Sequence, residues 1–287
     1  MQPRELSRAV SWVGAKTPTL PPATHTNSYA LGTREVLLVE PATPYEDEQR
    51  EWLAWARGLS TEGRRPIAIV VTHHHPDHVG GAEALARALG LPLWAHEATL
   101  ARLPFVAHGG IATRTLHDGE RLVLDGASPE AWEVLHTPGH AAGHVCLFDR
   151  RARVVVVGDM VASVGTILIA PGPGEGHMAT YLKELARLES LEAAVALPAH
   201  GDPIDAPSAL FRHYRAHRQK REDKIVAALD AAAAPEGASP EALLPIAYDD
   251  TPVTVWPIAR LSLAAHLEKL VEDGRARVAD GRYSRMT

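Results

Sequence analysis

Four potential metal ligands packed into six residues constrain this chain more than any other feature. Residues 72–78 read Thr-His-His-His-Pro-Asp-His, so His73, His75, Asp77 and His78 offer three imidazoles and a carboxylate. The preceding Pro66–Val71 is apolar and rich in β-branched residues, which predicts a buried strand. Downstream, Val79–Leu89 predicts a helix. The histidines then fall on a strand-to-helix loop, where α/β folds carry their chemistry. On an extended segment residues two apart point the same way, so His73 and His75 can grip one ion together. Asp77 and His78, at the start of the helix, can turn toward a second.

Three distant residues extend the pattern. His140 follows the strand-like Trp132–Leu135, Asp159 follows the apolar run Val154–Val157 and a glycine, and His200 closes Ala194–Ala199. Three apolar strands, each ending in one His or Asp, would deliver their ligands to one edge of a sheet. These four ordered motifs, from about Asn27 to His200, resemble the metallo-β-lactamase fold superfamily.

The resemblance implies a fold and a chemistry. The expected architecture is α/β, a four-layer αββα sandwich. By motif, His73, His75 and His140 match the ligands of a first metal and Asp77, His78 and His200 those of a second, with Asp159 bridging both. Two Zn²⁺ are expected, and Mn or Fe would accept the same donors. The implied chemistry is hydrolysis by a metal-bridging hydroxide, with Asp77 doubling as a catalytic proton acceptor or orienting group. No G-x-S-x-G elbow is present, and the single cysteine, Cys146, lies in an apolar run. In one place the chain departs from the family. An Asp-x-Gly turn usually props the metal loop, whereas here Val36–Val39 runs into Glu40 and Pro41. Glu40 either orients a ligand histidine or is a plain solvated strand end. His25 is expected near the pocket mouth, with substrate contact as one reading; His144 is expected to be structural, and His74 to lie at the surface or the pocket.

Length and composition agree with this reading. A chain of 287 residues with 46% hydrophobic content can bury a core of ~200 residues and still carry a further module. One cysteine excludes an internal disulfide. The residues after Met1 form no apolar signal stretch, and no run approaches the ~18 apolar residues of a membrane span. A cytoplasmic protein with no membrane partner is the expectation.

The chain divides, in this reading, into a catalytic domain at 1–207 and a C-terminal module at 208–287. The module should contain a long helix at Ala209–Ala232, a linker at Ala231–Pro240, helices at Glu241–Ala247 and Trp256–Asp273, and a hairpin at Arg275–Arg285 turning at Asp280-Gly281. Helices followed by a small hairpin resemble a winged helix, and the combination resembles the beta-lactamase-like protein 2 branch.

That branch includes thioester hydrolases and endoribonucleases on single-stranded RNA, so the resemblance leaves both open. From Arg212 onward there are 12 Lys and Arg against 11 Asp and Glu, and before it 17 against 24. The basic run Arg212–Lys224 could hold phosphates or be a solvated helix face. An acidic catalytic domain is not what a tight RNA binder needs. The apolar, then Gly- and Pro-rich Val164–Gly176 could wall an acyl channel or be a packed loop. The reading therefore favours an ester or thioester of a small molecule, with RNA cleavage next. True β-lactamases of this fold generally lack the bridging carboxylate that Asp159 supplies. A mononuclear iron sulfur dioxygenase would leave the second site empty, and a non-catalytic binding module would have lost ligands. A homodimer is a further open expectation.

Overall fold

The computed structural model describes residues 1–126, 130–232 and 236–286. The part of the expected linker at 233–235 lies outside the described residues. In chain order the elements are β1 (Arg4–Ser7), β2 (Val10–Lys16), β3 (His25–Leu31), β4 (Glu35–Val39), α1 (Glu46–Thr61), β5 (Arg65–Val70), α2 (Pro76–Val79), α3 (Ala82–Leu89), β6 (Leu93–Ala95), α4 (Glu97–Leu100), α5 (Pro104–Ala107) and β7 (Thr113–Thr115). There follow β8 (Arg121–Leu124), β9 (Glu130–His136), β10 (Val145–Asp149), β11 (Val154–Gly158), α6 (Met178–Ser190), β12 (Val195–Pro198) and β13 (Ile204–Asp205). The chain ends with α7 (Ser208–Ala231), α8 (Pro240–Ala247), α9 (Trp256–Glu272), β14 (Ala276–Ala279) and β15 (Arg282–Arg285).

Two sheets organise the first part of the chain. β1 to β7 follow one another in order in a seven-stranded sheet; β13-β12-β11-β10-β9-β8 form a six-stranded one. The two-residue period of a strand builds the layers. Trp12, Tyr29, Leu31, Leu37, Val39, Ala68 and Val70 point to the face shared with Leu122, Trp132, Val134, Val145, Leu147 and Val156 of the other sheet. The alternate residues Val13, Ala30, Val36, Leu38 and Ile69 point outward and pack against Trp52, Ala56 and Leu59 of α1 and Leu85 of α3. Trp52 is fully buried and meets the partly buried Trp55 edge-on at 5.7 Å.

The order of the strands explains the site. β4 and β5 are parallel, with Val39 opposite Val70, so Glu40 and Thr72 emerge at one edge. In the second sheet β9 and β11 each run antiparallel to β10, and β12 is parallel to β11. Their carboxyl ends, which lead to His140, Asp159 and His200, therefore point the same way.

One expected element is divided. Val79–Leu89 is not a single helix: α2 ends at Val79 and α3 begins at Ala82. The cause is the close passage of residues 41–44. A Cβ on Gly80 would stand 2.8 Å from the Ala42 carbonyl oxygen, and one on Gly81 2.7 Å from that of Thr43. At the edge of the seven-stranded sheet the short β1 pairs antiparallel with β2.

Contacts divide the described chain into two units: residues 1–137, 142–166 and 192–207; and residues 138–141, 167–191 and 208–287. Within the second, Ile225 and Leu229 of α7, Leu243 of α8 and Leu263, Leu267 and Leu270 of α9 make a core of their own. The β14–β15 hairpin turns at Asp280 and Gly281, both at positive φ, as the Asp-Gly pair predicts. The long helix α7 is bound into this unit by ion pairs: Arg212 and Arg215 to Glu189, Arg221 to Asp250, and Lys224 to Asp249 and Asp250. Arg218, buried, donates to the Ile167 carbonyl oxygen. No described helix is long and apolar enough to cross a membrane.

Candidate metal centre

The expected ligands gather in three overlapping groups: His73–His75–His140, His73–His78–Asp159 and Asp77–His78–His200. Within each group one ligand atom per residue lies within 4.8 Å of the others. Strand ends position most of them. His73 and His75 leave the end of β5, Asp77 and His78 lie in α2, and Asp159 and His200 follow β11 and β12. His140 sits in the turn after β9, where its Nδ1 pairs with the Leu168 carbonyl oxygen at 2.9 Å.

Four of the candidate ligand histidines, His73, His78, His140 and His200, have one ring nitrogen directed by the protein. His73 Nδ1 is 3.0 Å from Thr72 Oγ1, and its Nε2 faces His75 Nδ1 at 3.0 Å. His200 Nδ1 donates to the His25 carbonyl oxygen at 3.0 Å, which leaves Nε2 toward Asp159 and Asp77 at 3.4 and 3.5 Å. His78 Nδ1 stands 3.3 Å from Glu40 Oε2, with Nε2 3.6 Å from Asp159 Oδ1 and 3.9 Å from Asp77 Oδ1. A backbone or carboxylate partner on one ring nitrogen fixes the tautomer that leaves the other able to bind metal.

These residues fit a divalent cation. Both nitrogens of His78 are buried, and they meet the carboxylates of Glu40 and Asp159 as ion-pair contacts at 3.3 and 3.6 Å and not as well-formed hydrogen bonds. The nitrogen-to-carboxylate separations of 3.4–3.9 Å exceed good hydrogen-bond length. They are the spacing of ligands that share an ion at ~2.0–2.2 Å from each. Burial alone would make His78 neutral, but Glu40, Asp159 and Asp77 hold its pKa well above the ordinary imidazole value. Burial would likewise raise Asp159, and His78 and His200 instead hold it well below the usual carboxylate range. His200 is raised as well; burial opposes the shift and Asp159 drives it. A field that holds protons on buried imidazoles also favours a metal cation in their place.

Glu40 is buried, not solvated. Its Oε1 accepts from the Thr72 backbone N–H at 3.3 Å while Oε2 faces His78, so one side chain braces two residues of the metal loop. The Glu40 backbone stands at φ 61°, in the left-handed region, where its side chain turns back toward the metal loop. His25 is exposed, lines a groove of 540 Å³ and contributes its backbone carbonyl to His200. His74 is half-buried beside the His75 ring.

His144 does more than its spacing indicated. Fully buried, it pairs through Nδ1 with Thr137 Oγ1 at 2.9 Å and accepts the Asp159 backbone N–H on Nε2 at 3.1 Å. This fixes the turn that aims Asp159. Gly158 is required there, because it has φ +48° and a Cβ would come within 2.6 Å of His144 Nε2. The Gly158-Asp159 dipeptide was the available signal. The stacked pair His96 and His136, 3.9 Å apart and 8° from parallel, had none, since the two are forty residues apart.

Comparison with known proteins agrees with this geometry. Residues 21–200 match the metallo-beta-lactamase superfamily model, and residues 239–283 match the beta-lactamase associated winged helix domain. A beta-lactamase-like protein 2 homolog from Drosophila melanogaster is 25% identical over 265 residues, 88% of this chain and 85% of that protein. An atrochrysone carboxyl ACP thioesterase from Aspergillus fumigatus is 27% identical over 206 residues, covering 71% of this chain. The match spans 59% of that fungal protein's length. The crystal structure of a metallo-beta-lactamase family protein from Thermus thermophilus superposes with a TM-score of 0.75 at 26% identity, over 98% of this chain and 100% of that one. The chain belongs to the metallo-beta-lactamase superfamily and carries the winged helix domain associated with it.

Proposed function

We propose that this chain is a dinuclear metal-dependent hydrolase acting on an ester or thioester of a small molecule. The observation that carries the proposal is the position of Asp159. Its Oδ1 faces His200 Nε2 at 3.4 Å and His78 Nε2 at 3.6 Å, and it shares a ligand group with His73. One carboxylate thus reaches residues assigned to both ions, as a bridge must. His73, His75 and His140 would hold one ion and Asp77, His78 and His200 the other. Zinc suits these donors first, with manganese or iron as alternatives. When bound, the pair supplies an acidified water for attack on a carbonyl and positive charge for the oxyanion that forms. The chain's residues do the remaining work. Glu40 and the His25 carbonyl orient His78 and His200, and Asp77 takes up a proton as the attack proceeds.

Two features support a small substrate. The groove beside His25 has a volume of 540 Å³, within the range of ligand pockets, and its wall sets Trp12, Pro22 and Val164 against the polar and charged Thr24, Asn27, Ser163, Arg4 and Asp202. The basic run of α7, the natural candidate for an RNA grip, is engaged internally at Arg212, Arg215, Arg218, Arg221 and Lys224. In Val164–Gly176, Ile167 and Ile169 are buried, which favours a packed loop there, with Val164 facing the groove. The relative named as an acyl-carrier thioesterase points to thioesters among the candidates.

The test is to incubate zinc-loaded protein with acyl-coenzyme A and glutathione thioesters beside a labelled single-stranded RNA, with and without chelator. Chelator-sensitive thioester turnover is expected. RNA cleavage without thioester turnover would overturn the proposal.

A further inference from the structure

Three of the four backbone carbonyls in the segment that carries His200 are held by one strand of the opposite sheet. Each backbone carbonyl from Pro198 to Gly201 has a donor. Pro198 O accepts from Asn27 Nδ2 at 3.0 Å and from Tyr29 Oη at 2.6 Å. Ala199 O accepts from the Asn27 backbone N–H at 2.8 Å, and His200 O from Ser163 N at 3.2 Å. Gly201 O accepts from Asn27 Nδ2 at 2.7 Å. Asn27, itself buried, therefore serves three of the four carbonyls, and its amide nitrogen reaches Pro198 O before His200 and Gly201 O after it, with Tyr29 Oη at 3.2 Å as a third acceptor. Burial pushes the Tyr29 phenol pKa up, which keeps it a donor to the same segment.

We propose that Asn27 is the positioning residue of the second ion. It fixes the backbone on either side of His200 and so sets where His200 Nε2 stands against Asp159 and Asp77. The inference rests on the dinuclear reading above. It goes further by assigning to one side chain of β3 the difference between a filled and an empty second site. Asn27 touches no residue of the His73–His75–His140 group in the hydrogen bonds described, so its loss should separate the two ions. Partners that orient a metal ligand are typically worth about 10–100-fold in metal affinity. An amide that also satisfies two carbonyls should fall within that range.

The experiment is a Co²⁺ titration of the metal-free full chain, followed by the visible absorption of each equivalent and checked by calorimetry. It compares wild type, Asn27→Ala and Asn27→Asp. The aspartate is nearly isosteric, but turns an oxygen where Pro198 and Gly201 need a donor, so it carries the test if the alanine variant does not fold. Expected is a second equivalent weakened about 10–100-fold, with an altered spectrum, beside a first equivalent of wild-type affinity. A second equivalent that binds as tightly as in wild type overturns the proposal, as does equal weakening of both. A wild-type chain that takes up one ion would instead overturn the dinuclear reading itself.

Discussion

The molecule buries negative charge in two places and answers it in two ways. In the first unit Glu40 and Asp159 are 1% and 7% exposed and face the imidazoles of His78 and His200. In the second unit Glu222, 1% exposed, faces Lys269 at 3.0 Å and is in contact with Arg275. Lysine and arginine carry fixed charge, and the one imidazole of this cluster, His266 at 3.8 Å from Glu222, has its pKa lowered by burial, so Glu222 is answered chiefly by charges that stay. Imidazoles can give up their protons, so the carboxylates of the first unit keep their charge available for a bound cation. The pKa directions agree. Burial opposes ionisation of Glu222, but His266 and Lys269 pull it down to about 2. His78 and His200, by contrast, are raised. A buried charge cluster thus reads as architecture or as a binding site according to whether its positive members can leave.

The largest expected effect breaks the first cluster. Asp159→Ala removes the carboxylate common to both ions, so metal uptake should collapse and turnover should fall on the order of 10³-fold. Two tightly bound metals per chain in this variant would contradict its bridging role. In the second cluster Glu222→Gln should destabilise the protein by about 2 kcal/mol, less than for a fully buried pair, because Lys269 and Arg275 keep some contact with solvent when they lose their partner. Denaturant unfolding checks the loss, while metal uptake by the folded fraction should be unchanged. Asp77→Asn should lower turnover roughly 10²-fold with little change in melting temperature, since the carboxyl's proton chemistry is lost and its volume kept. An unaltered rate would remove Asp77 from the chemistry.

Acid separates the clusters further. Protons on His78 and His200 compete with metal, and both pKa values are raised, so metal loading should weaken as pH falls, starting above pH 6.5. Glu222 has a depressed pKa, so its stabilisation is present above about pH 4.5 and fades as pH falls through about 2. Metal release should therefore precede unfolding of the second unit, and an acid titration with both readouts would show the order. Simultaneous loss would mean that the two clusters are not independent.

Much of the first cluster was legible because its ligands lie where strands end. Apolar β-branched runs that stop at His or Asp mark both the strand and the direction of its last side chain, and so His73, Asp159 and His200 fell into place. The alternation along β2 to β5 likewise marks two buried faces and hence the layers. Contacts that depend on backbone passing close by were not legible. The break at Gly80-Gly81 follows from residues 41–44 crossing the helix, which a local pattern of helix formers does not report. Asn27 bonds to carbonyls at positions 198 and 201, far along the chain, and nothing in its own neighbourhood announces that. The Glu222 cluster was hidden as well, because its partners Lys269 and Arg275 lie far along the chain. Arg212–Lys224 looks like a basic surface, and only the fold shows which of its cations pair with the chain's own carboxylates.

The central claim is that the first cluster keeps its negative charge for two cations. Native mass spectrometry of the full chain, loaded with zinc at neutral pH and freed of loosely held metal, counts them directly. The account predicts a mass shift of two zinc ions for wild type and loss of both in Asp159→Ala. One ion or none in the wild-type chain would contradict it.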